Sequence, residues 1–141
     1  MKIEDGGSRI EDRMAIIKSF RDLEVYALAR EQAKKIFVLS KSFPKEERFS
    51  LTDQIRRSSR AVNAMIAEAW GRRRIPRRSS IKLMRPWGKS METQAWLDHA
   101  LDSDYVDGNQ HRALDEMWQK VGAMLNRMIQ RADDFCRSAG R

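Results

Sequence analysis

The chain has 141 residues, enough for one domain with a hydrophobic core, and its 41% hydrophobic and 34% charged residues are typical of a folded protein. A single cysteine excludes an internal disulfide and a multi-thiolate metal site. The sequence shows no apolar run of membrane-spanning length and no signal-peptide pattern, so a cytoplasmic location is expected.

The net charge of +8 is concentrated in one quarter of the sequence. The segment 56–89 carries eleven basic residues and one acid, Glu68, which gives it a charge of +10. The remaining seventeen basic and nineteen acidic residues sum to −2. This asymmetry favours a polyanionic partner.

The chain begins with a segment, residues 1–19, that is predicted to be a flexible arm because it contains Gly6, Gly7 and Ser8. Asp22 is placed to cap a helix over about 23–42. The apolar face of this helix repeats at three- and four-residue steps through Val25, Ala29, Gln32, Ile36, Leu39 and Phe43. Pro44 ends it, because a residue before proline is pushed out of the α region.

Three further helices follow. The second is predicted over about 50–73, with Leu51, Ile55, Val62, Ile66, Ala69 and Trp70 as its apolar stripe. The third extends to about 104, and its start is open: Pro76 suits a first helical turn, whereas Pro86 predicts either a kink or a later beginning. The turn signal Asp107-Gly108-Asn109 precedes the fourth helix.

No strand-type alternation occurs in the sequence. The pattern therefore predicts an all-α fold, an antiparallel up-down-up-down four-helix bundle over residues 20–137 with a short tail at 138–141. Short connections between amphipathic helices favour this arrangement.

The candidate site is the row of cations on the second helix and beyond it. At 100° per residue, Arg56 and Arg60 fall on one flank of the apolar stripe, and Arg57 and Arg72 fall on a strip behind it with Glu68. Arginine suits phosphate recognition because its planar fork can bind two oxygens. The predicted nucleic-acid-binding residues are Arg56, Arg57, Arg60, Arg72, Arg73, Arg74, Arg77, Arg78, Lys82, Arg85, Trp87 and Lys89.

Other chemistry is not favoured by the sequence. Glu68 is interpreted as an i, i+4 partner of Arg72, since no histidine or second carboxylate completes an acid–base pair. The acidic stretch around His99 departs from a calcium loop, because its twelfth position is Ala113. Trp70 and Trp118 lie on apolar faces, and Trp87 is the tryptophan expected to stack on bases. No catalytic residue, metal or cofactor is predicted.

Several segments also carry a family pattern: FRDLEVY at 20–26, FPKEE at 43–47, LTDQIRR at 51–57, Asn63 with IAEAW at 66–70, Arg72-Arg73, ETQAWLD at 92–98 and VGAML at 121–125. Over about residues 20–136 the chain resembles the four-helix-bundle proteins of 23S ribosomal RNA intervening sequences. The resemblance implies a barrel-like homopentamer. That family is similar to accessory proteins of diversity-generating retroelements, basic pentamers that serve a reverse transcriptase and its RNA.

The chain departs from the family at 82–91, where proline, glycine and additional basic residues replace an ordinary helical stretch. We therefore expect a non-catalytic accessory protein that binds nucleic acid, RNA more than DNA, with a reverse transcriptase as a possible partner. The alternative is a structural or protein-interaction oligomer without a nucleic-acid role. An enzyme that binds a small dianion ranks third, because it would need a deep pocket lined by Arg57 and Glu68.

Overall fold

The computed structural model describes residues 17–74 and 76–132, with the side chains of 76–79 excepted. Within these residues there are four α-helices, two short 3-10 helices and no strand: α1 is Glu24–Ser40, α2 Leu51–Gly71, α3 Pro76–Asp102 and α4 Gly108–Gln130. The all-α class with four helices is therefore confirmed. The predicted tail at 138–141 and most of the predicted arm at 1–19 lie outside the described residues.

The core lies among all four helices, since each helix contacts the next in sequence and α1 also contacts α4. Its largest fully buried side chains include Ile36 on α1, Ile55 and Ile66 on α2, Leu97 on α3 and Trp118 on α4. Burying such side chains is the dominant favourable term in folding. The predicted core placement of Trp70 and Trp118 is confirmed.

Side-chain hydrogen bonds fix the register between neighbouring helices. Arg56 Nε donates to Ser40 Oγ at 2.7 Å, and seven residues later Asn63 Nδ2 donates to the carbonyl of Tyr26 at 3.1 Å. As the residue number rises along α2, the partner's number falls along α1. The α2–α3 and α3–α4 pairs follow the same rule: Ser58 with Thr93, Glu68 with Arg85, Gln94 with Asp115 and Asp98 with His111.

The entry into α1 differs from the prediction. Asp22 does not cap α1: its carboxylate accepts from the backbone N–H of Ser19, which caps the preceding 3-10 helix Phe20–Asp22. The N-cap of α1 is Leu23, whose side chain makes no capping hydrogen bond. Leu23 is buried in the core instead, so packing rather than a polar cap positions this end.

The third helix begins at Pro76 and contains Pro86 in its interior. The alternative that it begins at Pro86 is therefore wrong. A proline inside a helix removes one backbone hydrogen bond at a cost of roughly 3 kcal/mol. Pro86 is buried, so the core contacts of its ring offset part of this cost. At the next connection, Asp107 caps α4 by accepting from the Gln110 N–H at 2.7 Å, so the fourth helix begins at Gly108, inside the predicted turn and not after it.

The loop before α2 and the loop before α4 are joined by a polar clamp. Tyr105 Oη donates to Glu47 Oε2 at 2.9 Å, and Ser50 Oγ donates to Glu47 Oε1 at 2.5 Å. The two hydroxyl groups lower the pKa of Glu47, Ser50 more than Tyr105. The Glu47 carboxylate accepts the hydrogen bond of the Tyr105 hydroxyl group and thereby raises the pKa of Tyr105.

We expect the change Tyr105→Phe to destabilise the protein in a pH-dependent way. The folded-state pKa of Glu47 is lowered, so the clamp stabilises above the ordinary glutamate pKa of about 4.3 and is lost as pH falls through the folded value. Because the folded-state pKa of Tyr105 is raised, the stabilisation from its hydroxyl group is present below the ordinary tyrosine pKa of about 10. It is lost as the pH rises through the folded-state value. Urea denaturation should show a difference between wild type and variant at pH 7 that shrinks on acidification. A difference independent of pH would contradict the role of the Glu47 carboxylate, since the variant keeps the ring contact with Phe43 and removes only the hydroxyl group.

Candidate functional site

Three cations converge on one carboxylate between α2 and α3. Glu68 Oε1 lies 3.2 Å from Arg85 Nη1, 3.5 Å from Lys82 Nζ and 3.6 Å from Arg72 Nε. Arg85 Nη1 also reaches the second carboxylate oxygen at 3.3 Å. We call these four residues the Glu68 cluster.

The helix register produces this cluster. Arg72 stands one turn after Glu68 on α2, and Lys82 and Arg85 stand one turn apart on α3. The interpretation of Glu68 as an ion-pair partner of Arg72 is confirmed, and the structure adds two partners from the next helix. Because three positive groups share one negative group, the cluster keeps an excess of two positive charges. The side chains of Arg72 and Arg85 are about half exposed.

Two arginines on the other flank of α2 are held by an aromatic ring. The guanidinium carbons of Arg56 and Arg60 lie 4.7 and 5.1 Å from the centroid of the Phe37 ring, and Lys41 Nζ lies 4.9 Å from it. Such cation–π contacts contribute about 0.5–1 kcal/mol at exposed sites. Arg56 and Arg60 therefore share a flank as predicted, and the ring on α1 orients them.

Arg57 and Arg73 have local partners. Arg57 Nη1 lies 3.7 Å from Asp53 Oδ2, and its side chain is 76% exposed, so it does not share a pocket with Glu68. Arg73 stacks 3.6 Å above the Trp70 ring and donates to the Trp70 carbonyl at 2.7 Å. Burial, and to a smaller extent the charge of Arg74, lower the pKa of Arg73. Arg73 is thus engaged at the end of α2, whereas Arg74 is exposed.

The remaining predicted residues lie on α3. Trp87 is half-buried and packs against α4, where its ring comes within 3.8 Å of the position of a side chain at Gly122. Lys89 Nζ pairs with Glu92 at 2.8 Å. The side chains of Arg77 and Arg78 lie outside the described part of the chain. Base stacking by Trp87 stays a prediction, with part of its ring covered by α4.

A polar group that the sequence pattern did not bring together lies between α3 and α4. His111 Nε2 is 2.8 Å from Asp98 Oδ1, and Asp115 offers a carboxylate oxygen within 4.8 Å of both. His99 is elsewhere and contacts Trp96 at a ring distance of 5.7 Å. The i, i+4 spacing of His111 and Asp115 indicates that these two share a face of α4. Their approach to Asp98 depends on the α3–α4 register.

Membrane insertion finds no support among the helices described: none of them is both long enough and apolar enough to cross a bilayer.

We expect Glu68→Gln to destabilise the fold modestly, by about 1 kcal/mol, because three cations would face one another without a carboxylate. The loss should be largest in low salt and shrink in 0.5 M salt, where screening weakens the repulsion. Thermal unfolding at both salt concentrations measures it. Glu116→Gln is the matched control, since Glu116 is exposed on α4. An equal loss in both variants would show that the cluster does not contribute to stability.

Comparison with known proteins gives a family and a fold. Residues 21–127 match the family described as 23S rRNA-intervening sequence protein. No curated protein has detectable sequence similarity to the chain. A crystal structure from Bacteroides thetaiotaomicron, described as a protein with unknown function from the S23 ribosomal protein family, is similar with a TM-score of 0.68 and 24% identity. The match covers 75% of this chain and 95% of that one and supports the four-helix fold. Because the family match spans about three quarters of the sequence, the chain belongs to the 23S rRNA-intervening sequence protein family.

Proposed function

We propose that this protein is a non-catalytic accessory protein that binds nucleic acid, RNA rather than DNA, through the Glu68 cluster and neighbouring arginines of α2. The observation that carries the proposal is the charge ratio at Glu68, where one carboxylate serves three partly exposed cations. A phosphate can approach this surface without first displacing a fully compensated ion pair. Arginine guanidinium groups and a lysine ammonium are the usual protein partners of phosphate oxygens.

The family supports RNA as the partner. Its name refers to intervening sequences of 23S ribosomal RNA, which makes an association with RNA in the cytoplasm the simplest role. The resemblance of this family to retroelement accessory proteins would add a reverse transcriptase as a candidate protein partner. Contacts to phosphates carry little sequence information, so we expect binding with weak sequence preference.

The proposal includes an antiparallel up-down-up-down bundle that assembles into a homo-oligomer, a pentamer by resemblance. The opposed numbering of bonded residues on adjacent helices supports the antiparallel arrangement. In an oligomer, several copies of the Glu68 cluster would act on one RNA chain, and linked weak contacts raise the overall affinity.

We expect the double variant Lys82→Gln, Arg85→Gln to bind single-stranded RNA more weakly than wild type. Each phosphate contact contributes about −0.7 to the log–log salt dependence for single strands, so losing two contacts should flatten the slope by about 1.4. Fluorescence anisotropy with a labelled RNA between 50 and 200 mM salt measures both quantities. Glu68→Gln should act in the opposite direction and tighten binding, because it removes the competing carboxylate.

The matched control is Arg112→Gln, Lys120→Gln, which removes the same charge from two exposed positions on α4. This control should retain the wild-type affinity and slope. Equal weakening in both double variants would reduce the effect to net charge, and unchanged binding in the Lys82, Arg85 variant would contradict the proposal.

A second candidate function, a structural oligomer without nucleic acid, is favoured by an apolar stripe on α3. Ile81, Met84 and Met91 are 60%, 50% and 51% exposed, and their spacing places them on one side of the helix. Exposed apolar patches of this kind mark protein interaction sites. The stripe borders the cations of α3, so an oligomer contact and an RNA contact are compatible.

We expect Met84→Gln, Met91→Gln to lower the oligomer size measured by size-exclusion chromatography with light scattering, because it replaces apolar contacts with solvated amides. Met84→Leu, Met91→Leu should keep the wild-type size. An unchanged size in the glutamine variant would exclude this stripe as the subunit contact.

A further inference from the structure

A second cationic surface lies on the opposite flank of α2 from the Glu68 cluster. It is a groove of about 750 Å³ between α1 and α2. Four exposed cations line it, Arg21 before α1, Arg30 and Lys34 on α1, and Arg60 on α2. Tyr26 and Phe37 supply its aromatic wall. We call it the α1–α2 groove.

The cations of the α1–α2 groove are less neutralised than those of the Glu68 cluster. In the part of the chain that the structure describes, none of the four has a carboxylate within ion-pair distance. The one acid in the lining, Glu31, pairs with Lys35 at 3.8 Å. The Phe37 ring holds Arg60 in place at 5.1 Å. The groove is therefore a cationic surface whose side chains are oriented and can bind an anion.

A low ridge separates the groove from the Glu68 cluster. At 100° per residue, Ala64 and Gly71 fall on the outer side of α2, between the direction of Arg60 and the direction of Glu68. Ala64 is exposed, and a side chain added at Gly71 would meet nothing within 4 Å. From Arg60 to Arg72 the helix rises about 18 Å at ~1.5 Å per residue.

We propose that an RNA strand crosses α2 over this ridge, with phosphates in the α1–α2 groove on one side and at the Glu68 cluster on the other. This inference rests on the proposed function and adds a second phosphate site and a path between the two. A polyanion with regularly spaced charges fits two cationic surfaces joined by small side chains. A free nucleotide or inorganic polyphosphate would fill the groove alone and would not need the ridge.

The test measures how RNA affinity depends on strand length, in the wild type and in variants that lose charge at one of the two surfaces. Wild-type affinity for labelled oligouridylate should rise more steeply once the strand is long enough to reach both surfaces. In Arg30→Gln, Lys34→Gln, that gain should be lost for a 12-nucleotide strand, and the salt slope should flatten by about 1.4, for two phosphate contacts. A 3-nucleotide strand, which reaches one surface only, should retain binding to the Glu68 cluster in this variant.

The ridge is tested by adding one negative group to it. Ala64→Glu should weaken the 12-nucleotide strand at least tenfold and leave the 3-nucleotide strand within about twofold, since only the longer strand crosses. Ala123→Glu is the matched control, because Ala123 is an exposed alanine on α4 and the net charge is identical. Far-ultraviolet circular dichroism should show that both variants keep the helical fold.

The outcomes separate the two proposals. If Lys82→Gln, Arg85→Gln weakens RNA binding but Arg30→Gln, Lys34→Gln and Ala64→Glu do not, the crossing is wrong and the proposed function stands. If tripolyphosphate displaces the long strand while Ala64→Glu has no effect, the groove is a small-anion site and the crossing is also wrong. If neither double variant changes binding, both proposals fail.

Discussion

The ion pairs of Glu68 join α2 to α3 and set the net charge of the surface between these two helices. One carboxylate accepts contacts from Arg72 on its own helix and from Lys82 and Arg85 on the next. Without it, three cations would lie side by side, and the α2–α3 contact would carry uncompensated repulsion. With it, the helices are held in register, and the surface still keeps an excess of positive charge. Stability and the proposed phosphate affinity therefore oppose each other at this residue.

The surroundings of the arginines divide them into two classes. Arg73 is stacked on Trp70 and bonded to its carbonyl, and Arg57 pairs with Asp53, so their charge is partly used within the chain. Arg60 is oriented by an aromatic ring and has no acidic partner among the described residues. A count of basic residues treats these groups alike. Their chemical availability differs because each guanidinium group meets a different neighbour.

The four helices could be predicted from the sequence because a 3.6-residue apolar period is a local property. The same argument placed Arg56 and Arg60 on one flank of α2. The cap at Asp22 was wrong, since a preceding 3-10 turn uses that carboxylate. The α1–α2 groove could not be predicted: Arg21, Arg30 and Lys34 are interspersed with Glu24 and Glu31 in sequence, and the pairing of α1 with α2 turns them toward Arg60. The contact of His111 with Asp98 likewise depends on how α3 meets α4.

Pro86 has a consequence for how the two parts of α3 are held in place. Its missing N–H leaves the carbonyl of Lys82 without the usual helical donor, so the hydrogen-bond ladder is interrupted in the turn that carries Lys82 and Arg85. The part of α3 before Pro86 is held by the buried Leu83 and by the ion pairs of Lys82 and Arg85 with Glu68, and the part after it by Thr93 and Leu97. The Glu68 carboxylate that helps to hold the first part is also the group with which an incoming phosphate would compete for Lys82 and Arg85.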